Sequence, residues 1–380
     1  MVQGDVETNR VSASLNTGAA LDSLFDTRTP ARVLLARNSP RLARPEYCAA
    51  LLASSWALRY EDPEESALQS ECAFAIAQRV GEPPLLSRAS ADLGNARRRF
   101  GRWSEAARLF VAAARLVPGD AAALARIESF RAALYSARRQ WPAAHAAVGR
   151  SAILYERAGD HWGRRAAVIQ CGICYVEQGE PERAIPLLFT TANALAGTPE
   201  RDLLRFALQP LLWALVDAGE AKRAHRWYRM ALPVFAGGGA HYRLKVSWLL
   251  GRILAAEGAH AEAAAELETV RLRCAEAGLI QEAALAGLDL AVAHAELLDR
   301  AALRRVLLEI RPLLRALRCS RESLAVKILE PAAAEPSIIL LREAARLIHA
   351  LPSHRPTRRL ASAAVSAAPG LGSGRVVPLR

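Results

Sequence analysis

The sequence predicts an all-α protein, an α-solenoid of about seven antiparallel helix pairs. Three observations lead to this prediction. A small residue recurs every 38 to 40 residues, which is the period of a stacked helical repeat. Gly and Pro punctuate the chain at nearly the same period. The hydrophobic content of 52% is mostly Ala and Leu, and aromatic residues make up only 6%, a composition that favours helices over strands.

The recurring small residue is predicted to lie near the start of the second helix of each pair, where the two helices cross. Helix axes that approach to roughly 8 to 10 Å leave no room for a long side chain. An oversized residue there costs about 1 to 3 kcal/mol. The seven positions are Ala67, Ala106, Ala144, Ala184, Ala224, Ala263 and, imperfectly, Leu303.

The second pair, residues 87–120, shows the pattern best. Leu93 and Gly94 fall in the middle of its first helix, and Gly101 ends that helix. In the second helix, apolar residues recur at i, i+4 and i+7, which is one helical face. These residues are Ala106, Phe110 and Ala113, and Pro118 closes the pair.

Glycines and prolines support the same register. Glycines after second helices are predicted to adopt the left-handed C′ conformation: Gly159, Gly197, Gly237 to Gly239, and Gly278. Prolines at the starts of second helices lack an N–H that would have had no partner there: Pro63, Pro142 and Pro181. Four further prolines fall inside predicted helices, which we expect them to kink or shorten: Pro186, Pro210, Pro233 and Pro312.

This arrangement of small crossing residues, a large apolar residue in the second helix and a closing Pro resembles the tetratricopeptide repeat. The resemblance covers residues 47–317 and implies a right-handed solenoid. Repeats of about 40 residues, longer than the shortest members of that family, look like the sensor regions of bacterial signal-responsive transcription regulators.

The two ends of the chain differ from the repeats. Residues 27–45 and 352–380 each hold five arginines and no acid, and together they supply ten of the formal charge of +12. We therefore expect a poorly ordered basic segment (1–45), the repeats (46–320), two C-terminal capping helices (321–351) and a disordered basic tail (352–380). Weak nucleic-acid binding through these Arg-rich flanks is one alternative function.

Signals for other classes of protein are weak. The polar start is unlike a secretory signal, and no apolar run is long enough to span a membrane, so we expect a cytoplasmic protein. No helix-turn-helix candidate precedes the first repeat, so any DNA-binding role would depend on a separate partner. The one CxxC, Cys171 to Cys174, lacks a second pair, and we interpret the scattered cysteines as core residues. His145 and His225 are expected at the surface. Without a recognisable catalytic motif, we expect neither an enzyme nor a metal or cofactor.

The resemblance implies that the first helices line a concave groove that binds a partner. Carried over residue by residue, the groove positions are Trp56, Arg59, Arg88, Asn95, Arg98, Arg126, Ser129, Gln209, Trp213, Lys245, Trp248 and Arg252. Trp interleaved with Arg is typical of binding hot spots, although each Trp could instead fill space between first helices. Ala91 stands where the family's carboxylate clamp has a Lys, which argues against capture of a peptide carboxyl terminus.

We therefore predict a non-catalytic scaffold that binds a peptide or protein partner in bacterial signalling or transcription control. The alternative is a sensor module that binds a small effector and acts on a separate DNA-binding or kinase partner. The sequence indicates no specific partner.

Overall fold

In a computed structural model of the chain, the residues that can be described are 24, 29–59, 62–277, 279–316, 325–327, 329–331 and 333. These residues form helices and turns, and no strand occurs among them. The chain divides into two compact units, residues 1–174 and 175–380, and each is described by itself.

The first unit begins with a short helix and a 3-10 turn, and continues as helix pairs. Its elements are α1 (Thr29–Asn38), the turn (Pro40–Leu42), α2 (Pro45–Leu58), α3 (Pro63–Val80), α4 (Pro83–Arg99), α5 (Trp103–Leu116), α6 (Ala121–Ala137), α7 (Trp141–Arg157) and the part of α8 (His161–Gln178) up to Cys174. Within it, α2 packs against α3, α4 against α5, and α6 against α7.

The second unit continues the alternation of first and second helices. Its elements are the end of α8, then α9 (Pro181–Leu195), α10 (Arg201–Asp217), α11 (Ala221–Phe235), α12 (Ala240–Ala256), α13 (His260–Glu276), α14 (Ile280–Glu296) and α15 (Arg300–Ala316). Here α10 packs against α11, α12 against α13, and α14 against α15.

In both units the first helices of neighbouring pairs also touch each other. The helix α4 contacts α2 and α6 in the first unit, and α12 contacts α10 and α14 in the second. In each unit the first helices therefore form one layer, which we call the inner side of the stack.

The helix crossings explain the period of small residues. Ala106, Ala144, Ala184, Ala224, Ala263 and Leu303 are all fully buried. In the facing first helices, a Cβ on Gly94 would lie 2.7 Å from the Phe110 ring, and one on Gly251 would lie 2.7 Å from Leu267 Cγ. Because such contacts are too short for any larger residue, the crossing glycines have a steric cause.

The first crossing departs from the prediction by one residue. Ser66, rather than Ala67, occupies the buried position, because its N–H bonds to Asp62 O, just as the Ala106 N–H bonds to Arg102 O. The Asp62 side chain caps the helix by accepting from Glu65 N at 3.0 Å. The buried Ser66 hydroxyl donates to Ser55 O at 2.8 Å, so a hydrogen bond replaces the apolar contact made by alanine elsewhere.

The turns inside the pairs require a left-handed residue. Gly101, Gly179, Gly219 and Gly258 supply it, each following a first helix with φ between 72° and 84°. In two other pairs a residue with a side chain takes this conformation, Arg139 (φ 56°) and Leu298 (φ 62°).

The glycines predicted to be left-handed after second helices are mostly not so. Gly159 is left-handed, with a φ of 68°, but the prediction was wrong for Gly197 and for Gly237 to Gly239. The connections after α9 and α11 are several residues long and close with bonds such as Thr198 N to Leu195 O, and Gly239 caps α12 in an extended conformation. Gly278 lies outside the described residues.

The prolines fall where the sequence placed them. Pro63, Pro142 and Pro181 occupy the first or second positions of second helices. The four internal prolines lie within α9, α10, α11 and α15, which continue through them for 15 or 17 residues.

Part of the basic N-terminal segment is ordered on the repeats. Residues expected to lack structure form α1 and the 3-10 turn, and Arg32 in α1 donates to both carboxylate oxygens of Glu65 at 2.8 Å. At the other end, residues 325–327, 329–331 and 333 are helical. The rest of the predicted capping helices and the whole predicted tail lie outside the described residues.

Candidate binding surface on the first helices

The inner side of the first unit carries an arginine enclosed by aromatic rings and a carboxylate. We call this group the N-terminal Arg–Trp cluster: Trp56, Arg59, Asp92, Arg126 and Phe130. Arg126 donates from Nη2 to Asp92 Oδ1 at 2.6 Å. Its guanidinium carbon lies 4.9 Å from the centre of the Trp56 ring and 5.2 Å from that of Phe130. Three first helices, α2, α4 and α6, thus meet at one cation.

Asp92 stabilises the charged form of Arg126. Burial alone would lower the pKa of the guanidinium, but attraction to Asp92 and the hydrogen bond with it outweigh burial and raise that pKa. Asp92 is only 7% exposed, and its Oδ2 has no hydrogen-bond partner among the described residues. A buried acceptor of this kind costs free energy unless a water or a bound molecule supplies a donor.

Further arginines lie on α4 and at the end of α2. Arg59 lies over Trp56, with its guanidinium carbon 4.1 Å from the ring centre, and bonds to Trp56 O. On α4, Arg88 precedes Asp92 by four residues, which places both on one face of the helix, and Arg88 is exposed. Asn95 Oδ1 accepts from Arg98 Nε at 3.0 Å and Nη2 at 2.9 Å. Of the predicted residues of the first unit, Trp56, Arg59 and Arg126 come together, and Asn95 and Arg98 form a separate pair on α4.

Three members of this surface were missed by the sequence analysis. Asp92 and Phe130 belong to the cluster itself. Tyr155 on α7 hydrogen-bonds to Ser129, and burial raises the pKa of its hydroxyl. Ser129, which was predicted, also lies 2.7 Å from the Ser151 hydroxyl. Arg126 follows Asp92 by 34 residues, one helical turn less than the 38 residues from Ala106 to Ala144, and this spacing is the signal that could have paired them.

The second unit holds a group with the same residue types, which we call the C-terminal Arg–Trp cluster: Trp213, Asp217, Trp248, Arg252 and Asp289. Arg252 lies over Trp213, 4.4 Å from the ring centre, and donates to Asp217 Oδ1 at 2.8 Å. A second carboxylate, Asp289, lies 3.7 Å from Arg252 Nε and accepts from Trp248 Nε1 at 2.7 Å.

The C-terminal cluster is more tightly packed around its aromatic residues. Trp248 is only 8% exposed, and its ring meets that of Trp213 edge-on at 5.2 Å. It therefore fills space between first helices, whereas Trp56 is 39% exposed. Burial opposes the charge on Arg252, but Asp289 and Asp217 raise its pKa overall. The other two predicted residues of this unit, Gln209 and Lys245, are partly buried on α10 and α12.

A small cavity lies beside α12, α13 and α14. Its volume is about 260 Å³, and its polar lining consists of His260 and Glu296. The remaining lining residues are Ala255, Ala256, Gly258, Val292 and Ala293. The cavity is separate from the predicted groove residues.

Most of the cysteines are buried, as expected from the sequence, whereas His145 and His225, which were expected at the surface, are only partly exposed. Cys48, Cys72, Cys174 and Cys274 are buried, and burial raises the pKa of Cys48 and Cys72 to about 12. Cys171 is partly buried, with its Sγ 3.9 Å from His145 Nδ1. His225 on α11 is partly exposed, and its Nδ1 lies 2.7 Å from Glu257 Oε2. Cys319 is outside the described residues.

Two searches of the described part of the chain were negative. No group of three or more His, Cys, Asp or Glu side chains there could hold a metal ion. None of the helices there combines the length and apolar character needed to cross a membrane.

Solved structures resemble this chain in fold. A Rap protein in complex with Competence and Sporulation Factor superimposes with a TM-score of 0.61 at 11% identity, over 85% of this chain and 90% of that one. Aspartyl phosphate phosphatase F from Bacillus subtilis gives a TM-score of 0.57 at 12% identity, over 77% and 79%. No protein-family model matches the sequence, and no curated protein matches it significantly. The predicted all-α, tetratricopeptide-like helical-repeat fold is thus confirmed.

Proposed function

We propose that this chain is a non-catalytic scaffold that binds an acidic peptide segment of a protein partner on the inner surface of its first unit. The observation that carries the proposal is the N-terminal Arg–Trp cluster. It presents a half-exposed Trp56 and an Arg126 that Asp92 holds in a fixed position.

The charge of this surface favours an acidic ligand. Arg126 pairs with the buried Asp92 and Arg59 stacks on the neighbouring Trp56, while Arg88 and Arg98 lie on α4, the helix that carries Asp92. Arginine forms bidentate bonds with carboxylates and stacks on aromatic rings, and Arg and Trp are enriched at binding hot spots. The unpartnered Oδ2 of Asp92 would accept from a backbone or side-chain N–H of the same segment.

The setting we infer for this binding is bacterial signalling. The two solved structures described above are named as a Rap protein and an aspartyl phosphate phosphatase, and the first was solved with Competence and Sporulation Factor bound. Because these structures are 11% and 12% identical to this chain, they support the hypothesis through their similar fold alone.

The proposal can be tested with a displayed library of random peptides about ten residues long, a length that spans roughly 33 Å when extended. We expect the selected peptides to be rich in Asp and Glu. Their affinity, measured by fluorescence polarisation, should fall at least tenfold, about 1.4 kcal/mol, in Arg59→Glu/Arg98→Glu.

The matched control is Arg108→Glu/Arg115→Glu, which makes the same charge change at exposed positions of α5 and should bind as the wild type does. Selection of no peptides, or equal affinity in the groove variant, would contradict the proposal.

A second candidate function is recognition of a small effector, favoured by the 260 Å³ cavity near His260 and Glu296. A thermal-shift screen of small metabolites against the full chain would test it. A hit should lose its effect in Val292→Phe, which fills the cavity, and should keep it in Arg59→Glu/Arg98→Glu.

A further inference from the structure

The second helix α11 carries a row of cations along its exposed face. Lys222, Arg226 and Arg229 are exposed and recur at i, i+4 and i+7, which is one face of a helix. Arg223 lies beside the row, and the helix contains no acidic residue. From Lys222 to Arg229 the row extends about 10.5 Å along the helix axis.

The cations of this row are not neutralised within the described part of the chain. The side chains of Lys222, Arg226 and Arg229 form no salt bridge there, whereas Arg223 pairs with Glu220 at 2.8 Å. The Arg-rich flanks supply ten of the formal charge of +12, which leaves +2 for the rest of the chain. The basic residues of α11 are therefore a local concentration of charge in a part of the chain that is otherwise close to neutral.

The helix α11 lies between α9 and α13. Aromatic rings of α9 and α11 meet edge-on, with their centres 5.5 Å apart. On the other side, burial and the nearby Glu266 of α13 raise the pKa of Tyr228. Tyr228 belongs to the buried side of α11, so the partly buried Glu266 accompanies that side and not the row. Glu268 of α13 pairs with Arg271.

The exposed acids of these two neighbours lie at the start of the row. Counted from the crossing alanine of each helix, Glu182 of α9 is level with Lys222, and Glu262 of α13 is one residue from that level. Arg226 is level with uncharged residues on both sides, Pro186 and Ala265. The positive charge of the row is therefore least compensated from Arg226 onward.

We propose that this row binds the phosphate backbone of a nucleic-acid duplex without reading its sequence. Each strand of a duplex places one phosphate about every 3.4 Å along the axis, so a row about 10.5 Å long spans about three phosphates. Contacts to phosphates position a duplex and carry no sequence information, so any choice of sequence would come from a separate partner. Because α11 is a second helix, this contact does not use the inner surface assigned to peptide binding.

Other anionic partners suit this face less well. The face that carries the row adds only Met230, which is 63% exposed, and Pro233 to its cations. Stable insertion into a membrane surface needs more apolar area than this, and a protein interface is built around an apolar core. A phosphate backbone needs charge alone, since the release of its counterions supplies the affinity.

The test is binding of a fluorescently labelled duplex of mixed sequence, about 20 base pairs long, to the full chain between about 50 and 200 mM salt. At the lower salt concentration, Lys222→Glu/Arg229→Glu should bind the duplex at least about tenfold more weakly than the wild type does. The slope of log affinity against log salt should become shallower by about 2, because two phosphate contacts are lost.

The matched control is Arg108→Glu/Arg115→Glu on α5, which makes the same charge change at exposed positions that are also seven residues apart. It should keep the wild-type slope and lose less than about threefold in affinity, since salt screens charges that lie far from the contact. If the charge reversal on α11 lowers the melting temperature, Lys222→Gln/Arg229→Gln removes the same two contacts and should give the same change of slope.

Acidic peptides selected on the inner surface should bind the α11 variant as they bind the wild type, which separates this inference from the proposed function. The inference would be overturned by a wild type that does not bind the duplex or by an equal loss of affinity in the control. Tighter binding to vesicles that contain phosphatidylserine than to the duplex would also overturn it.

Discussion

The N-terminal and C-terminal Arg–Trp clusters use the same residue types with opposite charge balance. In the first, two arginines, Arg59 and Arg126, accompany the single carboxylate of Asp92. In the second, the single Arg252 accompanies the two carboxylates of Asp217 and Asp289. The first cluster therefore holds one more arginine than carboxylates, and the second holds one more carboxylate than arginines.

The burial of the carboxylates differs in the same way. Asp92 is 7% exposed, while the side chains of Asp217 and Asp289 are 33% and 31% exposed. Desolvation makes an unpaired charge costly in the first case and tolerable in the second. The two arginines thus have different structural roles despite their similar surroundings.

The largest expected effect comes from Arg126→Met. It leaves the buried Asp92 carboxylate without its cation, so the free energy of unfolding should fall by about 3 kcal/mol. Urea denaturation of the full chain measures this. The double variant Arg126→Met/Asp92→Leu should recover most of the loss, because no buried charge remains. A double variant as unstable as the single one would show that packing, rather than the carboxylate, is responsible.

Arg252→Met should cost less, about 1 to 2 kcal/mol, because water reaches both of its carboxylate partners and Asp289 keeps its bond from Trp248 Nε1. The same urea experiment compares the two arginines directly. If Arg252→Met lost more stability than Arg126→Met, the burial of the carboxylates would not be what sets the size of the loss.

The tryptophans provide a smaller contrast. Trp248→Phe removes the indole N–H that bonds to Asp289 and should cost about 1 kcal/mol of stability. For the half-exposed Trp56, the same substitution should change stability by less than about 0.5 kcal/mol. Peptide affinity should fall more in Trp56→Phe than in Trp248→Phe. Equal stability losses would mean that Trp56 is also a packing residue.

The smallest effect concerns pH and the second unit. Burial lowers the pKa of His294 below its ordinary value of 6.5, and its buried Nδ1 has no hydrogen-bond partner among the described residues. As the pH falls through about 6.5, the unfolded chain binds a proton that the folded chain resists, so stability decreases. Thermal unfolding between pH 8 and pH 5 should show this decrease, and His294→Asn should make it shallower.

The fold was predictable because its causes are local and repeated. Ala106 and Gly94 were recognised from spacing alone, and the structure gives each the steric role expected at a helix crossing. The shift from Ala67 to Ser66 was not predictable, because Asp62 sets the start of α3 and a hydroxyl network replaces a methyl group.

The candidate surface was predictable only in part. Trp56 and Arg126 followed from their positions in the repeat, and the structure brings them together. Asp92 was missed because a single acid in a helix rich in arginine resembles a surface residue, and only the packing of α4 against α6 shows that it is buried. The fit of Trp248 between α10 and α14 likewise depends on contacts between distant parts of the sequence.

The turns at Arg139 and Leu298 suggest how this scaffold could be made more robust. Each side-chain-bearing residue in the left-handed region carries a penalty of about 1 to 2 kcal/mol, which exceeds the entropy that Gly loses on folding, about 0.5 to 1 kcal/mol. Arg139→Gly and Leu298→Gly should therefore each raise the free energy of unfolding. Neither substitution changes a residue of the two Arg–Trp clusters.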